Sequence, residues 1–393
     1  MGGRRTETGG PIRQIFAIDP NNGRVTEAGR LPVGLSDIAA ASAPDHVLLA
    51  GGHARRGAQA AVTQLTAEPA PRATLKLPRG GGLAPGSDPS VLPGDVLIAD
   101  RANNRLLEIT PRGRIRWQFP RPGDLRPGES FRVPDDAFFT ANGQRIVVTQ
   151  EDDFAISVVD VRRHRIVYRY GKPGVPGSAP DRLYNPDDAI PIRNGLILSS
   201  DIKNCRLLTL RPPSHRVHRQ LGTVGACGHA PPNHFGSPNG AFPTSDGGIV
   251  VTEITGDWVD FLDRRGRLTG ATHPPGFSYP SDTNQVSANR FLSVDYTRPG
   301  TIQIFDRRGH VRWRFHPAGK EALNQPSIAV PLPNGDILAA DDLNHRVIVV
   351  DPHRKRIVWQ YGHLGRSGRA PGYLNIPDGV DLPPPYAQAN RVR

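Results

Sequence analysis

The chain has 393 residues, 43 of them Gly and 40 Pro, which argues against helical bundles and coiled coils because both residues break helices. Hydrophobic residues make up 37%, too many for wholesale disorder, and no run of 18 apolar residues is present to cross a membrane as a helix. The formal net charge of +12 comes from arginine, with only five Lys among 49 basic residues; these are spread along the chain, not gathered as a nucleic-acid binder gathers them.

In chain order, Met1 to Gln14 carries arginines with no apolar stretch behind them, so no export signal is expected. Ile15 to Asp19 and Arg24 to Gly29 predict two strands, and Val47 to Gly52 with Ala61 to Thr66 predict the next register. A repeating unit then sets in: an apolar run, an acidic turn, a second apolar run, and a short strand with an aromatic. Its copies are Val96 to Asp100 with Arg105 to Thr110 and Ile115 to Phe119, then Ile146 to Gln150 with Ile156 to Asp160 and Ile166 to Gly171. Leu196 to Asp201 with Arg206 to Leu210, Ile249 to Glu253 with Val259 to Asp263, and Phe291 to Asp295 with Ile302 to Asp306 follow. The clearest copy is Asp336 to Asp341, Val347 to Asp351 and Arg356 to Gly362.

The ends of the second runs fall at Asp19, Thr66, Thr110, Asp160, Leu210, Asp263, Asp306 and Asp351, a spacing of 43 to 53 residues. Four short strands in such a period make one β-propeller blade. Asn375 to Leu382 reads as the first strand of a further blade. The expectation is therefore an all-β chain forming an eight-bladed propeller as a single domain, residues 1–393, with one blade shared between the two termini and residues 384–393 as a tail. Seven blades is the alternative, if the first two strands stay outside the ring.

Two turn motifs carry a family resemblance. The first is Asp-x-x-Asn-x-Arg, at Asp100, Asn103 and Arg105, at Asp201, Asn204 and Arg206, and at Asp341, Asn344 and Arg346; Glu151, Glu253 and Asp295 supply the acid in other registers. Asn tolerates a left-handed φ, Asp caps turn amides, and Arg can pair with the Asp. The second is a Gly-rich loop, Gly171 to Pro180, Gly222 to Pro231 and Gly362 to Pro371, each leading to a Pro at 186, 238 or 377. These resemble NHL-repeat propellers over about residues 80–383, while Phe16 to Pro20, Arg30 to Pro32 and Gly51-Gly52 resemble Kelch repeats over about residues 1–79. The resemblance implies fold more than function, because propellers host unrelated activities. Trp117, Tyr168, Trp313 and Trp359 recur at one strand position and read as blade-to-blade packing.

Small polar residues open the strand that lines a propeller's channel: Ser36-Asp37, Ser87-Asp88, Asp135-Asp136, Asp187-Asp188, Asn239, Ser281-Asp282, Ser327 and Asp378. The first residue of each opening is expected to cap its turn. Asp37, Asp136, Asp188, Asn239, Asp282 and Asp378 are the candidate channel-mouth ligands, with Asp136, Asp188 and Asp282 the candidates for a metal such as calcium, which takes six to eight oxygens. Cys205 and Cys227 are read either as one disulfide or as two separate thiols. His229, His234 and His363 lie in inter-blade loops and are the candidates for a catalytic base, should there be one.

The expected function is a non-enzymatic binding scaffold for a protein, peptide or polysaccharide, monomeric, using the loop face and channel mouth. A metal-assisted lyase or lactone hydrolase, of the kind the NHL-like resemblance includes, is the alternative, and a nucleic-acid binder using Arg-rich loops comes third. A disulfide would place the protein outside the cytoplasm; the absence of a signal from Met1 onward points inside.

Overall fold

The computed structural model describes residues 82–391 in full and, ahead of them, the pairing of several strands. The chain divides into two compact units, Met1–Ala73 and Thr74–Arg393. In the first, Ile12–Ile18 pairs with Val25–Leu35, and Ala39–Ser42, His46–Ala50 and Val62–Thr66 form a three-stranded sheet beside the short hairpin His53–Ala54/Gly57–Ala58.

The second unit is a propeller of six four-stranded antiparallel sheets among the described residues. Blade 1 joins Pro377–Asp381 to Val96–Asp100, Arg105–Ile109 and Ile115–Phe119. Blades 2 to 6 open with Pro134–Phe139, Pro186–Pro191, Pro238–Pro243, Pro280–Ser287 and Ala329–Pro331, and each continues through three consecutive strands to Gly171, Leu221, Thr272, Phe315 and Gly362. The expected eight blades, and the alternative seven, are therefore corrected to six. Thr110, Asp160, Leu210, Asp263, Asp306 and Asp351 each mark one blade, but Asp19 and Thr66 belong to strands that pair within the first unit. One blade is indeed shared between distant segments. The late strand completes the sheet of Val96–Phe119, however, and not that of the N-terminal strands.

Runs such as Val-Leu-Ile-Ala-Asp and Ile-Leu-Ala-Ala-Asp form the second strands and are buried along their whole length, because each lies in a sheet covered by its neighbours on both faces. Aromatics on the outer strands knit successive blades. Trp117 Nε1 donates to the Val161 carbonyl at 3.0 Å, Tyr168 Oη to Ser214 at 2.9 Å, Trp313 Nε1 to Pro352 at 2.8 Å and Trp359 Nε1 to Pro111 at 2.8 Å, the last bond closing the ring from blade 6 to blade 1. These side chains are packing devices, as expected. The segment from Gly82 runs along the outer edge of blade 6, bonding to Gly362, Gln360 and Val358, and covers that edge.

The short helix Gln388–Arg391 sits at the ends of the innermost strands remote from the inter-blade loops. Gln388 N donates to Asp381 Oδ1, Asn390 Nδ2 to Ala141 and Arg391 to Pro331, so it ties blades 1, 2 and 6 together. Cys205 and Cys227 form a disulfide with Cα atoms 5.2 Å apart. Closing that 22-residue separation is worth roughly 3 kcal/mol in the chain-entropy picture. The bond fastens the Gly-rich loop between blades 3 and 4 to the corner of blade 3.

Candidate functional site

The acidic corner at the end of each second strand organises the loop face. In blades 1, 3 and 6 the Asp oxygen accepts from both motif partners. Asn103 Nδ2 and Arg105 Nε lie 2.9 and 2.6 Å from Asp100 Oδ2, Asn204 and Arg206 lie 2.8 and 2.7 Å from Asp201, and Asn344 and Arg346 lie 2.8 and 2.7 Å from Asp341. The other oxygen accepts a backbone N–H two residues before the blade's opening Pro or, in blade 6, before Pro326: Asn375 for Asp100, Tyr184 for Asp201 and Asn324 for Asp341. Glu253 and Asp295 do the same for Gly236 and Ser278. The corner acid thus staples the incoming loop over the strand ends.

Blade 2 differs from the sequence expectation. Gln150, not Glu151, holds its corner, facing Ala155 as Asp100 faces Arg105. Glu151 is one residue further on, where blade 1 has Arg101 and blade 6 has Asp342. That next position projects toward the channel, and it is the part of the site that the sequence reading missed.

The channel mouth is built by a β-bulge. In blades 1 to 5 the register slips between the opening Pro and the third residue after it, so one extra residue is inserted. A bulge re-aims the side chains beside it. It turns both residues after the Pro toward the axis, giving an outer layer of Asp378, Asp135, Asp187, Asn239 and Ser281, completed in blade 6 by Ser327, and an inner layer holding Asp136, Asp188 and Asp282. The outer layer bonds from blade to blade and does not cap its own turns. Asn239 Nδ2 donates to Asp187 Oδ2 at 2.9 Å and to Ser281 Oγ at 3.0 Å, and Ser327 Oγ donates to the Asp378 carbonyl of blade 1 at 2.7 Å. Arg101 of blade 1 pairs with Asp378 of the same blade at 3.2 Å and, in blade 2, with Asp135, with Glu151 at 2.8 Å and with Asp152 at 2.6 Å. Ser87-Asp88 lies outside this ring: Asp88 caps the turn Pro89–Val91 through Ser90 N. Asp37 lies outside the described residues.

Above the inner layer lies a cavity of about 350 Å³ lined by Arg101, Asp135, Asp136, Glu151, Asp152, Asp187, Asn239, Tyr279, Ser281, Tyr296, Ser327, Leu343, Ile376 and Asp378. Arg101 is its one basic residue against six carboxylates. Beneath, Asp136, Asp188 and Asp282 are 3%, 0% and 1% exposed. Asp136 Oδ1, Asp188 Oδ1 and both Asp282 oxygens face no hydrogen-bond donor. Ligand oxygens of Asp136, Asp187, Asp188 and Asp282 all lie within 4.8 Å of one another. Burial, reinforced by the neighbouring carboxylates, holds all four well above the ordinary carboxylate range. Gly240 leaves the room for this: a Cβ there would stand 2.8 Å from Thr252 Oγ1, 3.1 Å from Asp282 Oδ1 and 3.3 Å from Asp188 Oδ2.

A second polar cluster lies in blade 4. His229 Nδ1 is 3.1 Å from Glu253 Oε2 and 3.8 Å from Asp260 Oδ2. Burial and the adjacent Glu253 push the Asp260 carboxyl up to about 9. His234 is exposed and bridges Ala230 by its backbone, and His363 packs on Tyr373 with ring centroids 4.1 Å apart. The three loop histidines are therefore not gathered into one group, and none of them lines the mouth cavity.

Sheets and mouth together define a six-bladed β-propeller with an acid-lined channel opening. No family model matches the sequence, and no curated protein matches it. Among solved structures, a protein of unknown function from Bacteroides caccae is similar with a TM-score of 0.52 at 12% identity, over 73% of this chain and 98% of its own. Virginiamycin B lyase from Staphylococcus aureus follows with a TM-score of 0.42 at 13% identity, over 57% of this chain and 69% of its own. The WD40 propeller domain of Doa1 gives 0.46 at 10% identity, over 71% and 84%. The first likeness is one of fold alone.

Proposed function

We propose that this propeller is a binding scaffold whose channel mouth holds a hard divalent cation, calcium by preference, and uses it to engage an oxygen-rich peptide or polysaccharide from the loop face. The observation that carries this is the trio Asp136, Asp188 and Asp282: fully buried carboxylates from three blades, with oxygens that no donor satisfies. Buried carboxylates at this separation require either shared protons or a cation. Oxygens around one calcium ion, each about 2.3–2.6 Å from it, stand no further apart than about 5 Å, and ligand oxygens of this cluster all lie within 4.8 Å of one another. Asp187 and the outer-layer oxygens complete a set suited to calcium, and the cavity above leaves the ion accessible to a ligand's carbonyl, carboxylate or hydroxyl oxygen. The histidines expected as the base of a metal-assisted lyase or hydrolase, His229, His234 and His363, do not line this mouth. The Cys205–Cys227 bond supports residence in an oxidising compartment.

Elemental analysis of protein purified in calcium tests this reading. One tightly held calcium per chain is expected in the native protein, and less than a tenth of that in the double variant Asp136→Asn/Asp188→Asn, with circular dichroism unchanged. Equal calcium in both, or none in either, contradicts it.

A further inference from the structure

Blade 4 departs from the corner chemistry of blades 1, 3 and 6 in three places at once. Gly256 stands where the others place Asn and Trp258 where they place Arg, so Glu253 loses both of its expected partners. Two residues beyond Trp258, Asp260 occupies the strand position that holds Leu107, Leu208 and Ile348 in blades 1, 3 and 6, and Ser157 and Gln303 in blades 2 and 5. The blade has removed a buried cation and added a buried carboxylate. Glu253 and Asp260 are both fully buried; Glu253 Oε1 and both Asp260 oxygens face no hydrogen-bond donor.

We propose that His229, Glu253 and Asp260 form a second metal site, within blade 4, for a divalent first-row transition ion, zinc by preference. Their ligand atoms lie within 4.8 Å of one another, and the separations from His229 Nδ1 to the two carboxylates, 3.1 and 3.8 Å, bracket the separation of about 3.3 Å between ligands of a tetrahedral zinc ion. An imidazole nitrogen beside two carboxylates favours zinc over calcium or magnesium, which take oxygen ligands. Three protein ligands leave a fourth position, the arrangement of zinc sites that admit water or a substrate.

The surroundings orient the ligands. The Trp258 ring stacks on His229 at 3.9 Å and within 5° of parallel, fixing the imidazole plane. Gly236 N donates to Glu253 Oε2 at 2.8 Å, fixing that carboxylate. Cys227, two residues before His229, is bonded to Cys205, so the disulfide limits how far the histidine loop can move. Metal affinity is thereby tied to the redox state of that bond.

Zinc titration of the disulfide-intact protein, by calorimetry in excess calcium so that the channel mouth is already occupied, tests the proposal. One zinc ion per chain is expected, and His229→Ala and Asp260→Asn should each weaken it by at least about 30-fold. The exposed His218→Ala variant should bind as the native protein does. Cobalt in place of zinc should quench tryptophan emission in the native protein and much less in Trp258→Phe. Reducing the disulfide should also weaken binding. Absence of zinc uptake overturns the proposal, as does uptake that His229→Ala, with native circular dichroism, leaves unchanged. Calcium binding at the mouth would stand or fall separately, because these variants do not touch it.

Discussion

Replacing Arg346 with Met is expected to destabilise the propeller by about 3–5 kcal/mol, the cost of leaving a buried charge without its partner. Arg346 is fully buried and donates to Asp341 at 2.7 Å, to Glu321 Oε2 at 3.1 Å, to the Glu321 carbonyl at 3.2 Å and to Gln360 at 3.0 Å. Burial already holds the Asp341 carboxyl above its usual value, with the guanidinium pulling it down. Without Arg346 the carboxyl must take up a proton or stay charged in a dry corner, and the staple to Asn324 N weakens with it. Denaturant unfolding measures the loss. The double variant Asp341→Ala/Arg346→Met should lose less than the sum of the two single variants, because the stranded charge is gone. A loss under about 1 kcal/mol in the single variant would mean that the corner is not holding the loop.

The second large effect concerns pH. Asp136, Asp188 and Asp282 have folded pKa values raised by burial and by one another. A raised carboxyl favours the folded state while protonated, so its contribution is complete below its unfolded value near 4 and is lost as pH climbs toward the folded value. Metal-stripped protein should therefore melt at progressively lower temperature from about pH 4.5 upward. Calcium acts on the ionised form, so its stabilisation should grow with pH and reach about 4 kcal/mol at a free concentration 1,000 times the dissociation constant. Asp381, pushed up to about 7 by burial while accepting Phe139 N and Gln388 N, adds a loss through neutral pH that calcium does not reverse. Calorimetry with and without calcium at pH 5 and pH 8 separates the two. Superposed melting curves at pH 8 would contradict the cation reading.

The blade period was legible because each blade repeats the same local solutions: a Pro that opens the channel strand, an acid at the corner, and an aromatic bonded to the next blade. The blade number was not. The first strands share the spacing but pair in their own unit, and nothing local marks which distant partner Pro377–Asp381 will choose. At the site, the openings Asp135-Asp136, Asp187-Asp188 and Ser281-Asp282 announced Asp136, Asp188 and Asp282, and their buried, unsatisfied state follows from the bulge. Glu151 was misplaced by one residue, because charge suggested a corner acid where hydrogen bonding accepts Gln150. With the register corrected, Arg101, Glu151 and Asp342 fall at one position around the mouth. Asp260 was concealed within the apolar run Trp258–Leu262; an acid where three other blades carry Leu or Ile was the available signal.

A crystal structure determined in calcium is the most direct measurement of the central claim. It should show one spherical peak with anomalous signal, about 2.3–2.6 Å from oxygens of Asp136, Asp188 and Asp282. Those carboxylates paired with one another through shared protons, with no ion between them at saturating calcium, would contradict it.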